Sequence, residues 1–168
     1  MFTSERQKTL ARAVFAVYLF LLCWLVLFKL SVHPGELVGV RSVNLVPFAQ
    51  SLRVNGEPAV WEIGYNALVF VPLGVYLQLF WPQKPMVWKW GAGALLSVLF
   101  EVLQYAFAIG MSDITDVLAN ALGCLLGLAG CRLFGRLLGD RLVPAVNGIG
   151  IAVEAAAFLL TAALLLAN

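Results

Sequence analysis

Seven polar side chains stand where an apolar chain has no evident use for them: Asn66, Glu101, Gln104, Asp113, Asp116, Asn120 and Glu154. All but Asp113, at a helix mouth, fall inside apolar runs. An ionisable group at the centre of a bilayer costs about 2.5–3.5 kcal/mol on insertion scales, so each requires a partner or a task. Spacing sorts them. Glu101 and Gln104 are three apart, Asp113 and Asp116 three apart, and Asp116 and Asn120 four apart, so two helices each carry a polar stripe on one face. A turn near Gly110 to Ser112 joins these helices antiparallel, which lets the stripes face each other. Counted at about 1.5 Å per residue, Asn66, Glu101, Gln104 and Asn120 lie roughly 8–14 Å from the same, outer membrane face. The arrangement predicts an acidic, amide-rich pocket that opens away from the cytoplasm. Three acids near one opening repel one another unless a cation, a proton or Arg41 offsets them. Two further chemistries remain open: Glu101 and Asp116 as an acid–base carboxyl pair, or amides and acids that only hydrogen-bond each other and fasten the bundle. Glu154 stands apart and reads as paired with another helix or protonated.

The elements that must position these groups follow from composition. Of 168 residues, 62% are hydrophobic and 12% charged, against about 45–50% and 25% in soluble domains. Twenty charged side chains cannot cover a soluble globule of this size, so lipid is the solvent for most of the chain. Net charge of +2 gives no reason to expect a nucleic-acid partner. Five apolar runs, about 13–30, 61–81, 87–110, 114–133 and 145–167, approach the roughly 20 residues a helix needs to cross hydrocarbon. A spanning barrel would instead show segments of about ten alternating residues. The fold class is therefore all-α, a polytopic membrane helix bundle with about five transmembrane helices.

Eight of the eleven Lys and Arg residues fall on one side if the N-terminus is cytoplasmic, leaving Lys29, Arg41 and Arg53 outside. By the bias of basic residues toward cytoplasmic segments, the C-terminus is then outside. The organisation read from this is a cytoplasmic segment 1–12, a membrane domain 13–133 with an extracytoplasmic, possible re-entrant loop 31–60, and a part 134–168 holding a basic loop and the fifth helix. No small-residue cleavage pattern follows the first run, so it reads as an uncleaved anchor. Trp61, Trp81, Trp88 and Trp90 fall at helix ends, as an interfacial belt requires. Gly123 and Gly127 form a GxxxG face for close packing against a helix of this chain or of a second copy, a route to a homo-oligomer. Pro72 predicts a kink in the second span. Residues 41–48 are too apolar for an open loop and too short to span, so they lie at the interface or dip beside the pocket, with Arg41 in the pocket or among headgroups. Arg132, Arg136 and Arg141 suit anionic lipid. Cys23, Cys124 and Cys131 read as small hydrophobes and His33 as a loop residue, so neither a metal nor a cofactor is expected.

Four ordered motifs, over roughly residues 13–131, resemble the VanZ-like family. They are Arg41-Ser42-Val43-Asn44-Leu45-Val46-Pro47-Phe48, Asn66-Ala67-Leu68-Val69-Phe70-Val71-Pro72-Leu73-Gly74, Glu101-Val102-Leu103-Gln104, and Asp113-Ile114-Thr115-Asp116-Val117-Leu118-Ala119-Asn120-Ala121-Leu122-Gly123. The resemblance implies a small bacterial inner-membrane protein, and its name-giving member is associated with teicoplanin resistance. It implies Arg41, Asn44, Asn66, Glu101, Gln104, Asp113, Asp116 and Asn120 as site residues. Many relatives carry an Arg soon after the glycine of the turn, where this chain has Gly110-Met111-Ser112, which makes Arg41 the leading substitute.

The leading functional expectation is a non-enzymatic envelope protein that binds a lipid-linked cell-wall precursor or a glycopeptide or lipoglycopeptide antibiotic, with membrane lipids as its surroundings. The alternatives are a membrane-embedded enzyme acting on a lipid-linked substrate through paired carboxylates, and a small proton- or cation-coupled carrier. The carrier ranks last because the inner half of the bundle reads as almost wholly apolar.

Overall fold

A computed structural model describes residues 2, 4–28, 40–48 and 60–167. Helices dominate because apolar runs in lipid must satisfy every backbone N–H and C=O within the segment. In chain order the elements are α1 (Glu5–Phe28), β1 (Val40–Asn44), α2 (Val60–Phe80), α3 (Met86–Phe107), β2 (Ile109–Asp113), α4 (Ile114–Leu138) and α5 (Leu142–Ala167). A single 3₁₀ turn, Gly139–Arg141, joins α4 to α5. By length and composition, four helical stretches among the described residues can cross a membrane: Glu5–Leu27, Trp61–Phe80, Met86–Phe107 and the 50-residue Ile114–Ala163. The last contains both the fourth and fifth apolar runs, because the turn between them is too short to separate them by length alone. Gly139, at φ 54°, is where α4 ends, a left-handed conformation that favours glycine. The protein is thus a multi-pass, all-α membrane bundle, with a small β element among the described residues.

Two compact units divide the chain, 1–21 with 133–168, and 22–132. In the first, Ala11, Val14, Leu142 and Val143 are buried, and the Asn147 side chain donates to the Gln7 backbone oxygen (3.2 Å) and to Gln7 Oε1 (2.8 Å). Glu154 belongs to this unit, half-buried on α5.

The second unit is built on the α2–α3 hairpin and α4. Phe70, Leu73, Phe100, Ala119, Cys124 and Leu128 form its buried interior, with Phe70 and Phe100 edge to face at 6.2 Å between centroids. Gly123 and Gly127 meet α2: a Cβ on either would overlap the carbonyl oxygen of Ala67 or Val71, and a Cβ on Gly74 would overlap that of Cys124. The small-residue face is therefore filled by a helix of the same chain, and a second copy could reach it only by displacing α2. Helix α2 runs through Pro72 from Val60 to Phe80.

One element departs from the sequence reading. The link between α3 and α4 is a five-residue strand rather than a tight turn, and it pairs in parallel with β1, Val40 opposite Ile109 through Asn44 opposite Asp113. The α2–α3 hairpin supplies the crossover that parallel strands require. Non-helical backbone beside hydrocarbon must find partners, and the two segments find each other. A two-stranded ribbon is marginal by itself, so its attachment to α3 and α4 matters.

Candidate functional site

The ribbon end of the second unit gathers the first group of expected residues. Glu101, one turn and a half before the end of α3, accepts the Asp113 backbone N–H on Oε2 at 2.9 Å, and its backbone oxygen accepts the Ser112 hydroxyl at 2.7 Å. Asp113 is the N-cap of α4: Oδ1 accepts the Thr115 N–H at 2.8 Å, satisfying a donor that has no intrahelical partner. Its Oδ2 accepts the Asn44 amide at 3.1 Å, tying β1 to α4. Asn44 Oδ1 in turn accepts the Val46 N–H at 3.1 Å, an Asx turn that bends the chain out of β1. Thr115 Oγ1 accepts the Phe48 N–H at 3.0 Å. Segment 41–48 is thus half strand, half docked turn. Glu101, Asp113 and Asn44 are all buried, 7%, 7% and 8% exposed.

Beside this network lies a cavity of about 310 Å³ lined by Val43, Leu45, Val98, Val102, Tyr105 and Val117 together with Asn44, Glu101, Ser112, Asp113 and Ile114. Most of its wall is aliphatic. Val43, Leu45, Val98, Val102 and Tyr105 are themselves exposed. Three expected residues, Asn44, Glu101 and Asp113, border the cavity.

The others are placed apart from it. Asn66 donates to Asp116 Oδ1 at 2.6 Å, joining α2 to α4. Asn120, 2% exposed, donates to Ser97 Oγ at 2.8 Å, joining α4 to α3, while its Oδ1 has no hydrogen-bond partner among the described residues. Gln104 donates to the Val26 backbone oxygen at 2.9 Å, which ties α3 to the end of α1. Arg41 sits on β1 opposite Gly110; its side chain is not among those described, and residues 29–39, with His33, and 49–59 lie outside the described residues. The polar groups converge on α3 and α4 as two stripes, but as successive rungs rather than one open acidic pocket. Hydrogen bonding in a medium without water favours this, since each buried amide or acid costs free energy until it is paired.

Several participants were not evident from sequence. Ser97 is four residues from Glu101 and so on its face, Thr115 stands two after the cap, and Ser112 reads as mere turn. More consequential is the far end of the unit, which the sequence reading took as almost wholly apolar. There Lys89 is fully buried and donates to Gln78 Oε1 at 2.5 Å and to the Trp81 backbone oxygen at 3.2 Å, capping the C-terminal end of α2. Lys89, Ser97 and Glu101 recur at four-residue multiples, a signal that was legible. Trp90, expected in the interfacial belt, donates Nε1 to the Ala121 backbone oxygen at 3.0 Å and so also serves α3–α4 packing. Among the described residues, no cluster of three or more His, Cys, Asp or Glu is arranged to hold a metal ion.

Comparison with known proteins bears on identity. No solved structure matches the chain. The curated Protein VanZ of Enterococcus faecium is 37% identical over 130 residues, covering 76% of this chain and 75% of that protein. The profile of the VanZ/LLP1 family matches residues 15–135, which include every motif from Arg41 to Gly123. This chain belongs to the VanZ/LLP1 family.

Proposed function

We propose that this protein sits in the bacterial inner membrane with its ribbon end away from the cytoplasm, and that this end binds an envelope amphiphile. Ligands of that class are a lipid-linked cell-wall intermediate and a glycopeptide or lipoglycopeptide antibiotic, and binding contributes to teicoplanin resistance. The observation that carries this reading is the apolar cavity at the ribbon end, set against the buried polar network. Aliphatic Val43, Leu45, Val98, Val102 and Val117 suit an apolar chain, while Asn44, Ser112, Asp113 and Glu101 hydrogen-bond among themselves behind the wall and hold its shape. At about 310 Å³ it lies at the small end of ligand pockets, enough for part of an amphiphile. The placement of eight of eleven cations supports the orientation.

The test is teicoplanin susceptibility of a sensitive host expressing the protein, with membrane content followed by immunoblot. Wild type raises the inhibitory concentration. Glu101→Gln, Asp116→Asn and the cavity-filling Val102→Trp return it toward the empty-vector value at unchanged membrane content. If all three protect as well as wild type, the polar rungs are structural fastening and the reading fails.

A further inference from the structure

The charges of the unit 22–132 are segregated along its helices. Described carboxylates occupy one end: Glu62 starts α2, Glu101 is near the end of α3, and Asp113 and Asp116 start α4. Lys84, Lys89 and Arg132 occupy the other. Lys89 and Glu101 are twelve residues apart on α3, about 18 Å, and Asp116 and Arg132 sixteen apart on α4, about 24 Å. Among the described residues, none of the three cations has a carboxylate within ion-pair distance.

What they do have is neutral. Lys89 is held by an amide and a backbone oxygen. Arg132, half-buried, points Nη1 at the Met86 thioether, 3.2 Å away, at the start of α3. Exposed Lys84 lies 5.8 Å over the Trp88 ring, and Trp88 packs edge to face on Trp81 at 6.1 Å. Neutral partners orient a cation without offsetting its charge, and like charges held beside a hydrocarbon phase raise each other's cost. An anion from outside the chain would remove that cost, and here it must also fit beside two tryptophans suited to the headgroup level of a bilayer.

We propose that Lys84 and Arg132 form a binding site for the headgroup phosphate of an anionic phospholipid, with Trp81 and Trp88 beside its glycerol region and Lys89 adding field from behind. A phosphate accepts from ammonium and guanidinium groups at once, while the zwitterionic headgroup brings a positive charge of its own that these cations oppose. The site is independent of the cavity at the ribbon end.

The test uses the full chain in neutral detergent, with phosphatidylglycerol or phosphatidylcholine of identical acyl chains added and retained lipid counted by native mass spectrometry. Wild type retains phosphatidylglycerol preferentially. Lys84→Gln and Arg132→Gln each reduce that preference about fivefold, Arg132→Lys keeps it, and Arg12→Gln on α1 leaves it unchanged. Monodisperse elution and an unchanged melting curve qualify each variant, and exposed Lys84 supplies the reading should Arg132→Gln not fold. The proposal is overturned by equal retention of both lipids, by a loss in Arg12→Gln as large as in Lys84→Gln, by loss in Arg132→Lys equal to that in Arg132→Gln, or by inorganic phosphate displacing the lipid.

Discussion

Replacing Asp113 by alanine removes two hydrogen bonds that meet at one carboxylate, the N-cap to Thr115 (2.8 Å) and the tie to Asn44 (3.1 Å). An N-cap lost to alanine costs about 1 kcal/mol, within a range of about 0.5–2. The Asn44 amide, in a residue 8% exposed, is left without this acceptor, for about 1–3 kcal/mol more. The expected loss is about 2–4 kcal/mol. For a chain of this length, about 2–4 °C per kcal/mol translates it into a melting shift of roughly 5–15 °C, read by tryptophan fluorescence in detergent. Asp113→Asn keeps a good cap but turns an amide toward an amide, so it recovers only the cap share. Asn44→Ala, combined with Asp113→Ala in a double-mutant cycle, should show coupling of about 1 kcal/mol. Strict additivity, or a shift below about 2 °C in Asp113→Ala, would refute the claim that this carboxylate holds β1 to α4.

Further outcomes follow from other contacts. Gly123→Ala and Gly127→Ala force a Cβ into the α2 backbone and should each cost about 1–3 kcal/mol. Gly130→Ala, with open space around it, should be neutral or stabilising by up to about 1 kcal/mol on the same melting assay. Lys89→Met leaves Gln78 and the Trp81 carbonyl without their donor, so it should destabilise by about 1–3 kcal/mol. Lys89→Met with Gln78→Leu should regain part of that, since an apolar pair replaces a buried polar one. Thr115→Val should speed amide exchange at Phe48 while leaving α4 protected, because the lost acceptor serves only the 45–48 turn.

Much of the fold was legible because lipid imposes a simple rule. Runs near 20 apolar residues must be helices, and the observed α1, α2 and α3 cover the predicted runs within a few residues at their apolar ends. The site was legible as faces: Glu101 with Gln104, and Asp116 with Asn120, lie along α3 and α4 as their spacing required. What each residue bonds to was not. Gln104 turns to the Val26 carbonyl, Asn120 to Ser97 and Asp116 to Asn66, and local spacing says nothing of which neighbour stands opposite. The burial of Lys89 was not legible for a related reason: it depends on where the end of α2 packs.

The amino-acid sequence by itself determined that this chain lives in lipid, where its helices run, which family it resembles and which side chains are too polar for their surroundings. Those properties depend on composition and on periods of one helical turn, and both are local. Tertiary structure alone decided that the Gly123 and Gly127 stripe meets α2, that residues 40–44 and 109–113 pair as parallel strands, and that the acids are spent on caps and rungs beside an aliphatic cavity. The strand pairing and the glycine contacts join residues about 50 to 70 positions apart, and in a water-free medium the requirement that every buried polar group find a partner selects among such arrangements.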